Sequence, residues 1–86
     1  MFVHLGGEKV IRMKELIAIL DLSSEQSAAA HSEFIRRAEE RNEVERIGDE
    51  APKSLVITDG RLYYSPISST TLKKRVQAMN ERLLLP

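Results

Sequence analysis

The 86-residue sequence contains no cysteine and no tryptophan, and aromatic residues make up only 5% of it. The absence of cysteine excludes disulfide bonds, thiolate nucleophiles and cysteine-ligated zinc. With three prolines and four glycines, the sequence also lacks a linker or a low-complexity segment. We therefore expect one small globular domain over residues 1–86. A domain of this size buries only about 60–65% of its unfolded surface, which gives a monomer a thin core.

Long apolar runs are missing too. No run approaches the roughly 18 residues of a membrane span, and the apolar start of the chain is interrupted by His4 and ended by Gly6-Gly7. We expect a cytoplasmic protein without a membrane partner. Net charge is zero, but residues 1–50 hold 7 Lys/Arg against 11 Asp/Glu, whereas residues 51–86 hold 6 against 2. The C-terminal part therefore permits an anionic ligand.

Motifs for catalysis and metal binding are absent from the sequence. His4 and His31 have no histidine or carboxylate at metal-ligand spacing, and no serine lies in a nucleophile elbow. Gly6-Gly7 lacks the spacing of a phosphate-binding loop, and Glu39-Glu40 point in different directions on a helix. We predict no catalytic residue, no metal, no cofactor and no enzymatic activity.

Residues 52–75 hold the strongest structural signals. Residues 55–57 and 62–64 read as strands on either side of the hairpin dipeptide Asp59-Gly60. Pro66 ends the second strand, and the hydroxyl cluster at residues 68–71 offers helix-capping oxygens. A C-terminal helix is predicted from four apolar residues at helical spacing: Leu72, Val76, Met79 and Leu83.

This helix is predicted to open with Lys73, Lys74 and Arg75. Cations at a helix start are unfavourable, because free N–H groups and the positive end of the helix dipole lie there. A bound phosphate would compensate for them. The alternative is that they only make an exposed helix face soluble. Tyr63 and Tyr64 are expected on opposite faces of their strand, as packing residues or with one ring exposed beside nucleic acid.

The rest of the chain is predicted from turns and periodicity. Residues 2–5 and 10–13 form a first hairpin around Gly6-Gly7, and residues 24–42 form the central helix. The apolar run at residues 16–20 suits a strand that is buried on both faces or lies in a subunit interface, although a short helix also fits. Residues 44–47 suit a short strand. The predicted fold is α+β, with a small antiparallel sheet, hairpins at both ends and two helices, one central and one C-terminal.

Four segments together resemble one family. They are His4-Leu5-Gly6-Gly7, residues 16–20, residues 52–58 and, above all, residues 63–75, which read Y-Y-S-P-I-S-S-T-T-L-K-K-R. The sequence is similar over nearly its whole length to the RemA/RemB family of small bacterial regulators of extracellular matrix and biofilm genes. The last block resembles the RemB branch in particular.

The resemblance implies a DNA-binding transcriptional regulator with α+β subunits that form a homo-oligomer, since RemA-type proteins assemble into closed rings with a basic DNA-binding surface. In the RemA branch an arginine cluster precedes the last hairpin, but Asp49 and Glu50 occupy matching positions here. The RemA-branch arginine before the apolar strand is matched by Glu15, or by Lys14 if the register slips by one residue.

Double-stranded promoter DNA is thus the expected partner, bound mainly through its phosphates. The predicted DNA-binding residues are Lys73, Lys74 and Arg75, assisted by Lys53, Lys14 and the N–H groups at the helix start. An alternative is a protein-interaction subunit that does not bind DNA and acts through a partner regulator. Asp49 and Glu50 favour this alternative.

Overall fold

The computed structural model describes the backbone of residues 1–23 and 25–84 and the side chains of residues 1–23 and 31–79. In chain order, its elements are β1 (Phe2–Gly6), β2 (Lys9–Arg12), a 3-10 turn (Met13–Glu15), β3 (Leu16–Asp21), α1 (Glu25–Glu40), β4 (Val44–Arg46), β5 (Ser54–Thr58), β6 (Arg61–Ser65) and α2 (Ser69–Leu84). The α+β class, the hairpins at both ends and the central and C-terminal helices are confirmed.

Two sheets organise the chain. The hairpin β1-β2 stands by itself, and a second sheet has the strand order β3-β5-β6-β4. Its β3-β5 and β5-β6 pairs are antiparallel, whereas β4 lies parallel to β6. The predicted antiparallel sheet is therefore mixed at one edge, because residues 47–53 and the antiparallel strand β5 lie between β4 and β6 in the chain, so no tight turn joins the two.

Glycines shape both hairpin turns. Gly60 has φ of 95° in the turn between β5 and β6, a conformation that L side chains rarely adopt. Gly6 has φ of 122°, and a Cβ atom there would lie 3.2 Å from the ring carbons of Pro66. The first hairpin can therefore approach the start of the α2 segment closely only because residue 6 has no side chain.

One face of the four-stranded sheet is covered by the first hairpin and α2. The fully or nearly fully buried side chains on this face come from five strands or connections and one helix: Val3, Leu5, Ile11, Ile47, Val56, Tyr63 and Leu72. Val76 and Met79 pack against them at helical spacing, as predicted for α2. This is the larger of the two cores.

The opposite face is covered by α1. Its buried side chains are Ala38, Leu55 and Leu62, with Ile35 and Tyr64 packed against them. Tyr64 lies half-buried under α1 and donates a hydrogen bond to the Glu39 carboxylate at 3.3 Å. Because Tyr63 is buried on the other face, the two tyrosines follow the packing interpretation rather than the nucleic-acid one.

The predicted strand at residues 16–20 is confirmed as β3, but the expectation of burial on both faces is wrong for the isolated chain. β3 is an edge strand, and the register shifts between Leu16 and Ala18, which leaves the Ile17 side chain 66% exposed. The other interpretation, a strand in a subunit interface, stays a prediction.

The central helix is shorter than predicted, with α1 spanning Glu25–Glu40. It ends because Asn42 adopts a left-handed backbone conformation with φ of 60°, which does not continue an α-helix. At the other end, the backbone N–H and hydroxyl of Ser23 both donate to Asp21 Oδ1, at 2.9 and 2.6 Å.

Candidate nucleic-acid interface

The start of α2 differs from the prediction. The helix begins at Ser69, and the Ser68 hydroxyl accepts a hydrogen bond from the Thr71 N–H at 3.3 Å, which caps it. Lys73 therefore lies a full turn beyond the helix start, so the prediction that the helix opens with cations is wrong. The helix dipole acts mainly within the first turn. The three cations thus do not need an anion to offset it.

Lys53 and Lys73 lie at the same end of the four-stranded sheet, which we call the Asp21 end. Lys53 immediately precedes Ser54, and Ser54 is paired with Asp21 at the end of β3. Hydrogen bonds from Ser23, and to a smaller extent the charge of Lys73, hold the pKa of the Asp21 carboxyl below its ordinary value. Two of the predicted cations therefore lie at the same end of the sheet, although 20 positions separate them in the sequence.

Lys74 and Arg75 differ in their surroundings. The Lys74 side chain is exposed on α2. Arg75 is half-buried, and its Nη1 donates to the backbone carbonyl of His4 at 2.9 Å, which connects α2 to β1. The His4 ring is held in turn by a 2.7 Å hydrogen bond between Nε2 and the Gly7 carbonyl. Arg75 is thus partly engaged in the fold, while Lys74 is available to a ligand.

Lys14 is separated from the other predicted cations. It is exposed in the Met13–Glu15 turn, next to Leu16 at the opposite end of β3. The strand rise places Leu16 about 17 Å from Asp21. We call this second end of the sheet the Gly60 end. Lys14 and the Lys53–Lys73 pair therefore cannot hold the same phosphate within one subunit.

The acidic positions that depart from the RemA branch lie at the Asp21 end. Asp49 and Glu50 are exposed in a loop at residues 48–52, which we call the acidic loop. The loop is held where it enters β5, because the Lys53 N–H donates to the Ser65 carbonyl at 2.8 Å. Within the described part of the chain, neither Asp49 nor Glu50 forms an ion pair.

A second cationic region lies at the Gly60 end, which the sequence did not indicate. A groove of about 380 Å³ opens there between α1 and the sheet. Its rim carries Arg37, Arg41 and Arg61 together with one acid, Glu43. Its apolar lining comes from α1 and three strands: Ile17, Phe34, Ala38, Ile57 and Leu62. We call it the arginine groove.

The arginines of this groove are only loosely paired. Arg37 Nε lies 3.4 Å from a Glu33 carboxylate oxygen, and Arg61 Nη1 lies 3.8 Å from that of Glu45. Arg41 forms no ion pair with any residue that the structure describes. Exposed pairs of this kind contribute little free energy, so their arginines can change partners.

No helix among the described residues is long and apolar enough to cross a membrane. In the same part of the chain, no three histidine, aspartate or glutamate side chains come together in a group that would hold a metal ion.

The fold and these surfaces define a small α+β domain with exposed cations at both ends of one sheet. Comparison with known proteins gives the family. A family model described as RemA-like, extracellular matrix regulatory protein A-like, matches residues 2–76. The chain is also 37% identical over 81 residues to extracellular matrix regulatory protein B of Bacillus subtilis (strain 168), covering 94% of this chain and 96% of that protein. The chain belongs to the RemA-like family.

Proposed function

We propose that the protein is a DNA-binding transcriptional regulator of extracellular matrix and biofilm genes, acting in the cytoplasm as a homo-oligomer. Its family and the name of its Bacillus subtilis relative support the regulatory role. The proposed activity is binding alone, with no catalytic step and no cofactor.

The placement of Lys53 and Lys73 at the Asp21 end, with Lys74 exposed on α2, is the observation that supports DNA binding most directly. Flexible ammonium groups at a protein surface are suited to phosphate oxygens, which they hold as point charges. Arg75 adds the guanidinium hydrogens that His4 leaves free. Lys14 would hold a more distant phosphate of the same duplex.

Such contacts position DNA without reading its bases. Sequence preference would then come from the shape and deformability of the duplex rather than from contacts to base edges. Binding carried by phosphate contacts releases counterions, so the affinity should fall steeply with salt.

The double substitution Lys73→Ala/Lys74→Ala tests this assignment. Arg75 is left in place because its hydrogen bond to His4 supports the fold. Loss of two phosphate contacts should weaken retardation of a promoter fragment by about tenfold or more. The matched control is Arg36→Ala/Arg46→Ala, which removes two exposed cations from the opposite side of the sheet. Equal retardation by both variants would contradict the assignment of Lys73 and Lys74 as DNA-binding residues.

Homo-oligomer formation is supported by the thin core and by β3. An 86-residue chain has little apolar surface to bury, and β3 presents one unpaired, apolar edge in the described structure. A second copy that covers the edge of β3 would add apolar burial and would shield the unpaired edge from solvent.

The arginine groove and the exposed acids Asp49 and Glu50 favour a second candidate. In this function the protein does not bind DNA itself and acts by binding a partner regulator. Purified protein that is folded but fails to retard DNA at low salt would support this candidate over the first.

A further inference from the structure

The arginine groove combines charge with an apolar lining. Arg37, Arg41 and Arg61 surround it, and Phe34 and Ile17 are 46% and 66% exposed beside it. Large apolar side chains exposed next to loosely paired cations favour an occupant with acidic groups beside apolar ones.

The acidic loop of this same chain has that chemistry. Asp49 and Glu50 are followed directly by Ala51 and Pro52, so two carboxylates precede two compact apolar side chains. Both acids and Ala51 are exposed, and Pro52 is half-buried. The carboxylates match the arginine rim, and the apolar pair matches the lining of the groove.

The loop and the groove cannot meet within one subunit. The loop leads into β5 at Ser54, whereas the groove is lined by Thr58 and Gly60 at the other end of that strand. The five residues of β5 place these two ends about 13 Å apart, and the loop leaves the sheet at the Asp21 end. Complementary surfaces at opposite ends of one molecule produce a head-to-tail contact, which repeats from copy to copy.

We propose that the acidic loop of one copy docks in the arginine groove of the next, with Asp49 and Glu50 bound by Arg41 and Arg61. This inference rests on the homo-oligomer proposed above and names its contact. It also gives the acidic residues a role beside the DNA-binding lysines. In a lone subunit, Asp49 and Glu50 repel DNA phosphates near Lys53, whereas docking neutralises them with the neighbour's arginines.

The test uses two charge-reversed forms of the full chain. One is Asp49→Lys/Glu50→Lys, and the other is Arg41→Glu/Arg61→Glu. Each form alone places like charges at the contact, so each should associate about tenfold more weakly than the wild type in sedimentation velocity. An equimolar mixture restores opposite charges at every contact. The mixture should reach the mass of the wild-type assembly, with an affinity of association within about threefold of the wild type.

A matched control is Arg12→Glu/Arg46→Glu, which changes charge as much as the groove form at two exposed arginines that belong neither to the groove nor to the acidic loop. It should associate as the wild type does. Duplex binding is not measured here, so failure of the DNA proposal would leave these results unchanged. Three outcomes overturn the inference: a wild type that stays monomeric, reversed forms that associate normally, or a mixture that fails to recover although both forms give folded circular dichroism spectra.

Discussion

The two faces of the four-stranded sheet are built differently. The face under the first hairpin and α2 is closely packed, with Val3, Leu5, Val56 and Leu72 fully buried. The face under α1 has a smaller core and leaves the arginine groove open at the Gly60 end. Both faces use the same strands, so the difference comes from what covers them: two elements on one side and a single helix on the other.

We infer that one face of the sheet mainly stabilises the subunit, whereas the other is available for interaction with another molecule. The face that two elements cover supplies most of the apolar burial that a short chain can achieve. The face under α1 keeps exposed apolar and arginine side chains, which cost little in the folded subunit and are available to another molecule. Substitutions on the first face should therefore act on unfolding, and those at the groove should act on association.

The largest effect is expected for Leu72→Ala. Leu72 is 0% exposed at the centre of the closely packed face, so the substitution leaves a cavity and should lower the free energy of unfolding by about 2–5 kcal/mol. Phe34→Ala, at the groove, should lower the free energy of unfolding by less than about 1 kcal/mol. Urea denaturation at low protein concentration measures both. Equal losses would remove the distinction between the faces.

A smaller effect is expected for Ser65→Ala. The buried Ser65 hydroxyl donates to the Leu5 carbonyl at 2.6 Å and accepts from the Ile67 N–H at 3.1 Å. Alanine leaves both partners without a hydrogen bond, so the free energy of unfolding should fall by about 1–3 kcal/mol. Thr70→Ala on the exposed side of α2 is the control and should change the free energy of unfolding by under about 0.5 kcal/mol. A Ser65 variant as stable as this control would contradict the packing described for this face.

The smallest effect concerns Asp21, where β3 ends and α1 is about to begin. Its carboxyl pKa is lowered chiefly by the Ser23 hydrogen bonds and less by Lys73. The pKa of Asp21 is lower in the folded protein than in the unfolded chain. The ionised carboxylate therefore stabilises the fold at any pH above the unfolded-state pKa, and this stabilisation is lost as the pH falls through the folded-state pKa. In NMR titration of the carboxyl group, Ser23→Ala should raise the midpoint more than Lys73→Ala. The reverse order would contradict the stated causes.

Local signals predicted most of the fold. The turn at Asp59-Gly60, the glycines after β1 and the spacing of Leu72, Val76 and Met79 each depend on a few neighbouring residues, and each prediction is confirmed. The position of β3 at a sheet edge depends on which strands pair, and no local pattern contains that information. This is why the predicted burial of residues 16–20 on both faces is wrong for the single chain.

The candidate sites were less predictable. Lys73, Lys74 and Arg75 are adjacent in sequence, yet successive helix positions point in different directions, so Lys73 and Lys74 are exposed whereas Arg75 binds the His4 carbonyl. The arginine groove takes its residues from α1, the segment after it, three strands and one turn, so only tertiary packing brings them together.

The most direct test of the account is the affinity of the purified wild-type protein for a labelled promoter duplex, measured by fluorescence anisotropy at two salt concentrations. Phosphate contacts by about four cations per subunit predict an affinity that falls about a hundredfold between about 50 and about 200 mM salt. A folded protein that binds no duplex at the lower salt concentration, or binds equally at both, would contradict the proposal that its lysines hold DNA by the phosphates.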